Sequence, residues 1–290
     1  MSASTLGVAV LGVIGGSGLY QMPGLTAMEP LTASTPFGEA SDGIVRGRLG
    51  ETPVVFLPRH GRAHSHSPST LNYRANIYAL KSLGVTHVLS VSAVGSLREE
   101  IAPGDLVVPH QFINRTTRRV DTFFDRDVVA HVSMADPVCP FMAAAVASAA
   151  RATGANTHVG QTYVCIEGPR FSTRAESRMF RQWGADIIGM TNVPEAFLAR
   201  EAELPYATLA LATDYDSWRE QDEAHVDEII AVMAKNVARA QAVVAGLAAA
   251  LPDVSASPAQ GATKHAVMTR WEAVSAEARA RYALLLGDRA

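Results

Sequence analysis

The stretch Val164–Glu195, VCIEGPRFSTRAESRMFRQWGADIIGMTNVPE, decides the fold. It opens at the end of an apolar run, Thr162–Ile166, that reads as a buried strand. Gly168-Pro169 turns the chain, and Ser172 stands where a hydroxyl can cap the free N–H groups of a first helical turn. Ala175, Met179 and Phe180 then fall on one face of a helix. Asp186–Ile188 returns as a strand, and a second turn leads to Pro194-Glu195. Strand-to-helix turns of this kind are where α/β sheets place binding groups, outside the carboxyl ends of the strands. Glu167, Phe171, Met190, Thr191 and Glu195 crowd these two turns. They form either a ligand site or two ordinary connecting loops, and both readings stay open on this stretch alone.

Working outward, the rest of the chain repeats the alternation. Val8–Ile14 is a continuous apolar run that ends in Gly15-Gly16-Ser17-Gly18. A glycine loop after a buried strand brings backbone N–H groups close to an anion. It is neither a Walker loop nor a dinucleotide fingerprint, because no Gly-Lys-Ser/Thr follows and Gln21 holds the third glycine position. Residues 30–52 read as hairpin material. Pro53–Leu57 is a strand running into Arg59-His60-Gly61-Arg62-Ala63-His64-Ser65-His66. The arginines suit an oxyanion, since guanidinium offers a planar donor fork. The competing reading is zinc on His60, His64 and His66, although no nearby carboxylate or thiol completes a ligand set. Asn72–Leu83 is an amphipathic helix, and Thr86–Val94 a strand ending in Ser92-Ala93-Val94-Gly95-Ser96, small enough to admit a ligand to the backbone. Arg115–Arg119 carries three arginines and reads as a solvated or intersubunit loop. Phe141–Ala152 is helical and Thr157–Ile166 a strand. Ala196–Ala202 is helical, and Tyr206–Ala212 is a strand delivering Thr213-Asp214-Tyr215-Asp216. Side chains two apart on a strand point the same way. Asp214 and Asp216 therefore face one pocket, cannot both ionise cheaply, and one pKa should rise. Two solvated aspartates in a strand-end turn are the plainer alternative. Residues 224–251 form a long helix, residues 252–262 a linker, and Val267–Leu286 a terminal helix.

The 290 residues carry a formal charge of −3 and are 48% hydrophobic, which gives no electrostatic footprint for nucleic acid or anionic lipid. Two cysteines, Cys139 and Cys165, make no disulfide framework, and Cys165 reads as a core thiol. No apolar run reaches the length of a membrane span, and no basic region precedes Val8–Ile14 as in a signal peptide. We expect a cytoplasmic protein of one α/β domain over residues 1–290.

Seven motifs in order resemble the purine nucleoside phosphorylase superfamily, and within it the 5′-methylthioadenosine phosphorylase branch. They are GGSGL at Gly15–Leu19, RHGR at Arg59–Arg62, NYRANI at Asn72–Ile77, GSLREEIAPGD at Gly95–Asp105, EGPRFSTRAES at Glu167–Ser177, GMTNVPE at Gly189–Glu195 and ATDYDSW at Ala212–Trp218. The resemblance implies the nucleoside-phosphorylase fold, a central mixed β-sheet flanked by helices, and a homotrimer. It implies phosphorolysis of 5′-methylthioadenosine to adenine and 5-methylthioribose 1-phosphate, with phosphate as co-substrate and no metal or organic cofactor. By resemblance, Ser17, Arg59, His60, Ser92, Ala93 and Thr191 are phosphate-binding positions. Met190 lies under the ribose, Phe171 beside the base, and Asp214 and Asp216 recognise the base. Ser172 is a specificity position, and His131 reaches a neighbouring subunit's site.

Such a reaction builds positive charge on the sugar and negative charge on the leaving purine. Phosphate stabilises the first, and a protonated Asp214 at N7 stabilises the second as general acid. A carboxylate at Asp216 accepts from a 6-amino group, which favours adenine over a 6-oxopurine. The segment Trp218–Asp227 is one residue shorter than the family's pattern before Val226, and His225 stands where an apolar side chain is expected. Both positions bear on the 5′ pocket, so a broader purine nucleoside phosphorylase acting on adenosine, inosine or methylthioinosine is the alternative. A metal-dependent hydrolase built on the RHGRAHSH histidines and a nucleoside-binding protein without turnover are the rivals from other classes.

Overall fold

The computed structural model describes residues 8–19, 21–219 and 226–287. Strands β1 (Leu11–Gly15), β2 (Leu25–Leu31), β3 (Ile44–Leu49) and β4 (Thr52–Pro58) precede helix α1 (Tyr73–Ser82). Next come β5 (His87–Ser96), β6 (Leu106–Val108), β7 (Gln111–Arg115) and α2 (Pro140–Ala152). The second half adds β8 (Thr157–Val159), β9 (Thr162–Ile166), α3 (Arg174–Gln182), β10 (Ile187–Gly189), α4 (Asn192–Glu201), β11 (Tyr206–Tyr215), α5 (Val226–Ala249) and α6 (Ala276–Leu286).

All the strands join one mixed sheet in the order β2-β3-β4-β1-β5-β10-β9-β7, with β11, β6 and β8 branching from β5. The inner strands β1, β4, β5 and β11 run parallel. Parallel strands are covered on both faces, which is why they read as unbroken apolar runs rather than alternating ones. Val54 and Phe56 of β4 pack with Met142 and Val146 of α2 and Val243 of α5. Their neighbours Val55 and Leu57 pack on the opposite face with Ile77 and Leu80 of α1, Leu198 of α4 and Leu285 of α6. Helix α3 covers β9 and β10 through Phe180, Val164 and Ile188. Among the described residues no helix is long and apolar enough to cross a membrane.

Four local readings change. Thr157–Ile166 is two strands, because Gly160-Gln161 turns the chain so that β8 pairs with β6 and β9 with β7 and β10. The terminal helix starts at Ala276, where the Ser275 hydroxyl accepts from the Ala278 N–H at 3.2 Å. Residues 252–262 lie against the body of the protein, with Val254, Ser257 and Ala259 buried. The cap of α3 is Thr173, not Ser172: its hydroxyl accepts from the Glu176 N–H at 3.2 Å and its own N–H donates to the Glu176 carboxylate at 2.8 Å. A Thr-x-x-Glu box satisfies two free donors at once, which leaves the Ser172 hydroxyl for another partner. Thr173→Ala should therefore lower stability by about 1 kcal/mol in denaturant unfolding, whereas capping by Ser172 would leave Thr173→Ala neutral.

Candidate active site

Strand β5 is the spine of the site. One edge is paired with β11 from Val88 to Ser96. The other edge is taken by β1 as far as Ser90 and by β10 only from Gly95 onward. Val91 to Val94 thus have no strand partner on that edge among the described residues, and a cavity of about 390 Å³ opens against them. Ala93 is exposed in the middle of a buried strand for this reason. The carboxyl ends of β1, β4, β9, β10 and β11 and the turns that follow them close around the gap, bringing in Gly16, Arg59, Ile166, Met190 and Asp214.

At one end the groups suit an anion. Arg59 is 3% exposed. Its Nε donates to Glu195 Oε2 at 2.8 Å, Nη2 to Ser90 Oγ at 2.6 Å, and Nη1 to the Val91 carbonyl at 3.0 Å. The buried Glu195 carboxylate raises the guanidinium pKa against its burial, so Arg59 stays charged. Tyr206 donates its hydroxyl to the same carboxylate at 2.9 Å. Ser92 Oγ donates to Asn192 Oδ1 at 3.0 Å, and Asn192 Nδ2 donates to Thr208 Oγ1 at 2.6 Å. A fixed cation beside a strand edge without a strand partner favours phosphate or carboxylate. Burial, and then the charge of Arg59, push the His60 imidazole down to about 4. His60 is therefore neutral near pH 7. Its Nδ1 lies 2.9 Å from the His66 carbonyl, which can only accept, so the proton sits on Nδ1 and Nε2 is an acceptor. His60 stacks on His64 at 4.5 Å. Among the described residues no three His, Cys, Asp or Glu side chains are placed to hold a metal ion, so the three histidines are not gathered as a ligand set.

At the other end are two carboxyls. The β11–β5 register slips between Ala212 and Asp214, with Thr213 as the extra residue. Its hydroxyl lies 2.7 Å from Asp214 Oδ1 and 3.2 Å from the Val94 carbonyl. A Cβ on Gly95 would come within 3.3 Å of Asp214 Oδ2 and 3.4 Å of Asp216 Cβ, so glycine there lets both acids crowd against β5. Burial, with the neighbouring Asp216 charge adding to it, pushes Asp214 up to about 6. Asp216 is 3% exposed and is also raised by burial, held back by Ser172, whose hydroxyl donates to Asp216 Oδ2 at 2.5 Å. The spacing argument anticipated one raised carboxyl through mutual repulsion; here both rise, and burial is the larger cause. Between the two ends, Pro68, Ile166, Ile188, Met190 and Phe171 make apolar walls. Gly168 adopts φ +65°, and a side chain there would meet Met190 Sδ at 2.6 Å.

The chain matches the model of the phosphorylase superfamily over residues 10–249. It belongs to that superfamily. Its branch is that of the methylthioadenosine phosphorylases. The chain is 51% identical over 281 residues to the S-methyl-5′-thioadenosine phosphorylase of Geobacter sulfurreducens, covering 96% of this chain and 98% of that one. A crystal structure of a methylthioadenosine phosphorylase from an Antarctic soil metagenomic library superposes with a TM-score of 0.91 at 50% identity, covering 96% and 99% of the two chains. A variant of the adenosine/methylthioadenosine phosphorylase of Schistosoma mansoni, solved in complex with methylthioadenosine, gives 0.79 at 37% identity over 86% and 94%.

In this phosphorylase the cavity brings together Arg59, His60, Ser92, Ala93, Thr191, Phe171, Ser172, Met190, Asp214 and Asp216. His131 is exposed and does not line it; its N–H donates to the Ala266 carbonyl at 2.8 Å. Ser17 sits in a short 3-10 turn, Ser17–Leu19, and its side chain lies outside the described residues. His225 and the side chain of Val226 also lie outside them. Sequence reasoning missed Asn192, Thr213 and Arg119. The last corrects the solvated-loop reading of Arg115–Arg119: Arg119 is buried below the cavity floor. Its only signal was a third arginine in a basic run, which the usual solvated explanation absorbs.

The raised Asp214 pKa has a stability consequence. The folded state binds that proton more tightly than the unfolded chain does, so stability falls as pH rises between about 4 and about 6. The loss is at most about 3 kcal/mol. Asp214→Asn should exceed the wild type in denaturant unfolding at pH 8 and lose that advantage at pH 4. An advantage independent of pH would contradict the assignment.

Proposed function

We propose that this phosphorylase cleaves 5′-methylthioadenosine with inorganic phosphate, releasing adenine and 5-methylthioribose 1-phosphate. The observation that carries the reading is one cavity with a fixed cation and an open strand edge at one end and two desolvated carboxyls at the other. Phosphate binds along the open edge of β5 against Arg59, Ser92, Ala93 and Thr191, with Ser17 from the glycine turn. The nucleoside lies between Phe171 and Met190. A phosphate oxygen forms the new bond to the anomeric carbon as the C–N bond breaks, and the electron pair leaves with the purine. Asp214 gives its proton to N7. Hydrogen phosphate gives up its own proton when the ester forms, which restores the balance over a turnover. Neutral His60 accepts a hydrogen bond from that P–O–H through Nε2. Asp216, kept an acceptor by the Ser172 hydroxyl, takes the 6-amino hydrogen, where a 6-oxo group would face lone pairs.

The reaction needs no metal or organic cofactor, since phosphate is itself a substrate. The active unit is a homotrimer in which the exposed His131 of one subunit reaches the sugar of the next. His225 and the relative that acts on adenosine as well as methylthioadenosine support a second reading in which a 5′-hydroxyl is also accepted. Ser172, His225 and Val226 then share the choice of substrate.

Base release from methylthioadenosine, adenosine, inosine and methylthioinosine, measured with and without phosphate and with a chelator, tests both readings. Methylthioadenosine should give the highest kcat/KM, phosphate should be required, and chelator should have no effect. Faster inosine cleavage, or release without phosphate, would refute the proposal. Asp214→Asn should lower kcat by about 10²–10⁴-fold and raise the ratio of 6-oxo to 6-amino cleavage. Unchanged kcat would remove the general acid.

A further inference from the structure

Arg119 takes no part in the chemistry above, yet its side chain is 1% exposed. Nη1 donates to the carbonyls of Met190 and Val193, each at 2.6 Å, and to the Tyr73 hydroxyl at 3.1 Å. Nη2 donates to the carbonyls of Glu167 at 2.8 Å and Ile166 at 3.3 Å, and Nε to the Glu167 carboxylate at 3.3 Å. One cation thus joins the turn after β9 to the turn after β10. The Glu167 carboxylate is itself fixed, accepting from the N–H groups of Thr117 at 2.6 Å and Arg118 at 3.0 Å and from Ser69 Oγ at 2.8 Å. Those bonds and the Arg119 charge overcome its partial burial and hold it near 2, so the pair stays ionic at any working pH. The planar fork matters, because a lysine ammonium is a single point and cannot reach carbonyls on two sides at once.

We infer that Arg119 is a positioning residue. It sets the separation between the wall carrying Phe171 and Ser172 and the wall carrying Met190, the two surfaces between which base and sugar lie. This rests on the placing of the nucleoside proposed above. Most of the anion end is held separately, with only Thr191 sharing the turn of Met190: Arg59 is fixed by Glu195, Ser90 and the Val91 carbonyl, and Ser92 by Asn192. Losing the fork should therefore loosen nucleoside binding and spare phosphate, a division that a general loss of structure would not produce.

The test compares Arg119→Lys and Glu167→Gln with the wild type. In Arg119→Lys, the nucleoside KM should rise about tenfold or more, the size expected for a lost charged hydrogen bond, and the phosphate KM should stay within about twofold. Glu167→Gln, which weakens the anchor but keeps the fork, should shift the nucleoside KM in the same direction by less. Equal rises in both KM values, or no rise, would overturn the inference while leaving the proposed reaction standing. If the wild type releases no base, that reaction is wrong. Positioning is then read from adenine titrated calorimetrically into both proteins, with weaker binding by Arg119→Lys expected and equal binding contradictory. If circular dichroism shows that neither variant folds, Arg119 is a structural cation and the positioning role is overturned.

Discussion

A gap in one edge of β5 governs this structure. A sheet interior normally leaves no backbone group unpaired. Here β1 stops at Ser90 and β10, running antiparallel, begins only at Gly95. The four residues between them are paired with β11 on one side only, and the cavity opens along their other edge. Parallel β1 and β4 bring the Gly16 and Arg59 turns to the gap from one side, and β9 and β10 bring the Ile166 and Met190 turns from the other. The remaining edge is sealed by β11, whose register slip at Ala212 delivers the two aspartates. Each wall of the cavity follows from where a strand ends.

The two ends of that cavity solve opposite electrostatic problems. At the anion end a full charge is kept, because Arg59 is buried together with Glu195 and donates also to Ser90 and the Val91 carbonyl. Removing one partner of such a buried pair strands the other, at a cost of roughly 3–5 kcal/mol. Arg59 and Glu195 therefore serve stability as well as keeping a charge at this end of the cavity. At the other end charge is disfavoured, because Asp214 and Asp216 lose water without gaining a cation. A carboxyl raised to about 6 holds its proton into weakly acidic solution and can donate it, and one held by a serine hydroxyl is an acceptor. The same low dielectric that sharpens one end neutralises the other.

Much of this was legible in the sequence. Unbroken apolar runs marked the inner strands, and polar or glycine-rich turns directly after them marked the cavity, so Arg59, Ser92, Met190 and Asp214 stood out without coordinates. What stayed hidden depends on pairing between distant segments. Nothing local shows that β10 joins β5 for two residues only, and so nothing local reveals the gap. Ser172 looked like a cap because Thr173 beside it has the same chemistry, and only the Glu176 partner separates them. Arg119 looked solvated because its acceptors come from separate stretches of the chain, at Tyr73, at Cys165–Glu167 and at Met190–Val193. One raised acid was anticipated from the spacing; both are raised, and burial, which the sequence does not display, is the stronger cause.

The central claim is that a protonated Asp214 delivers the proton that releases the base. Its most direct test is the pH dependence of kcat/KM for methylthioadenosine at saturating phosphate, which reports the essential acid of the phosphate-bound enzyme that meets the nucleoside. The account predicts a descending limb with an apparent pKa of about 6, set by Asp214, which disappears in Asp214→Asn. A wild-type profile without that limb, or a limb that survives the substitution, would contradict it.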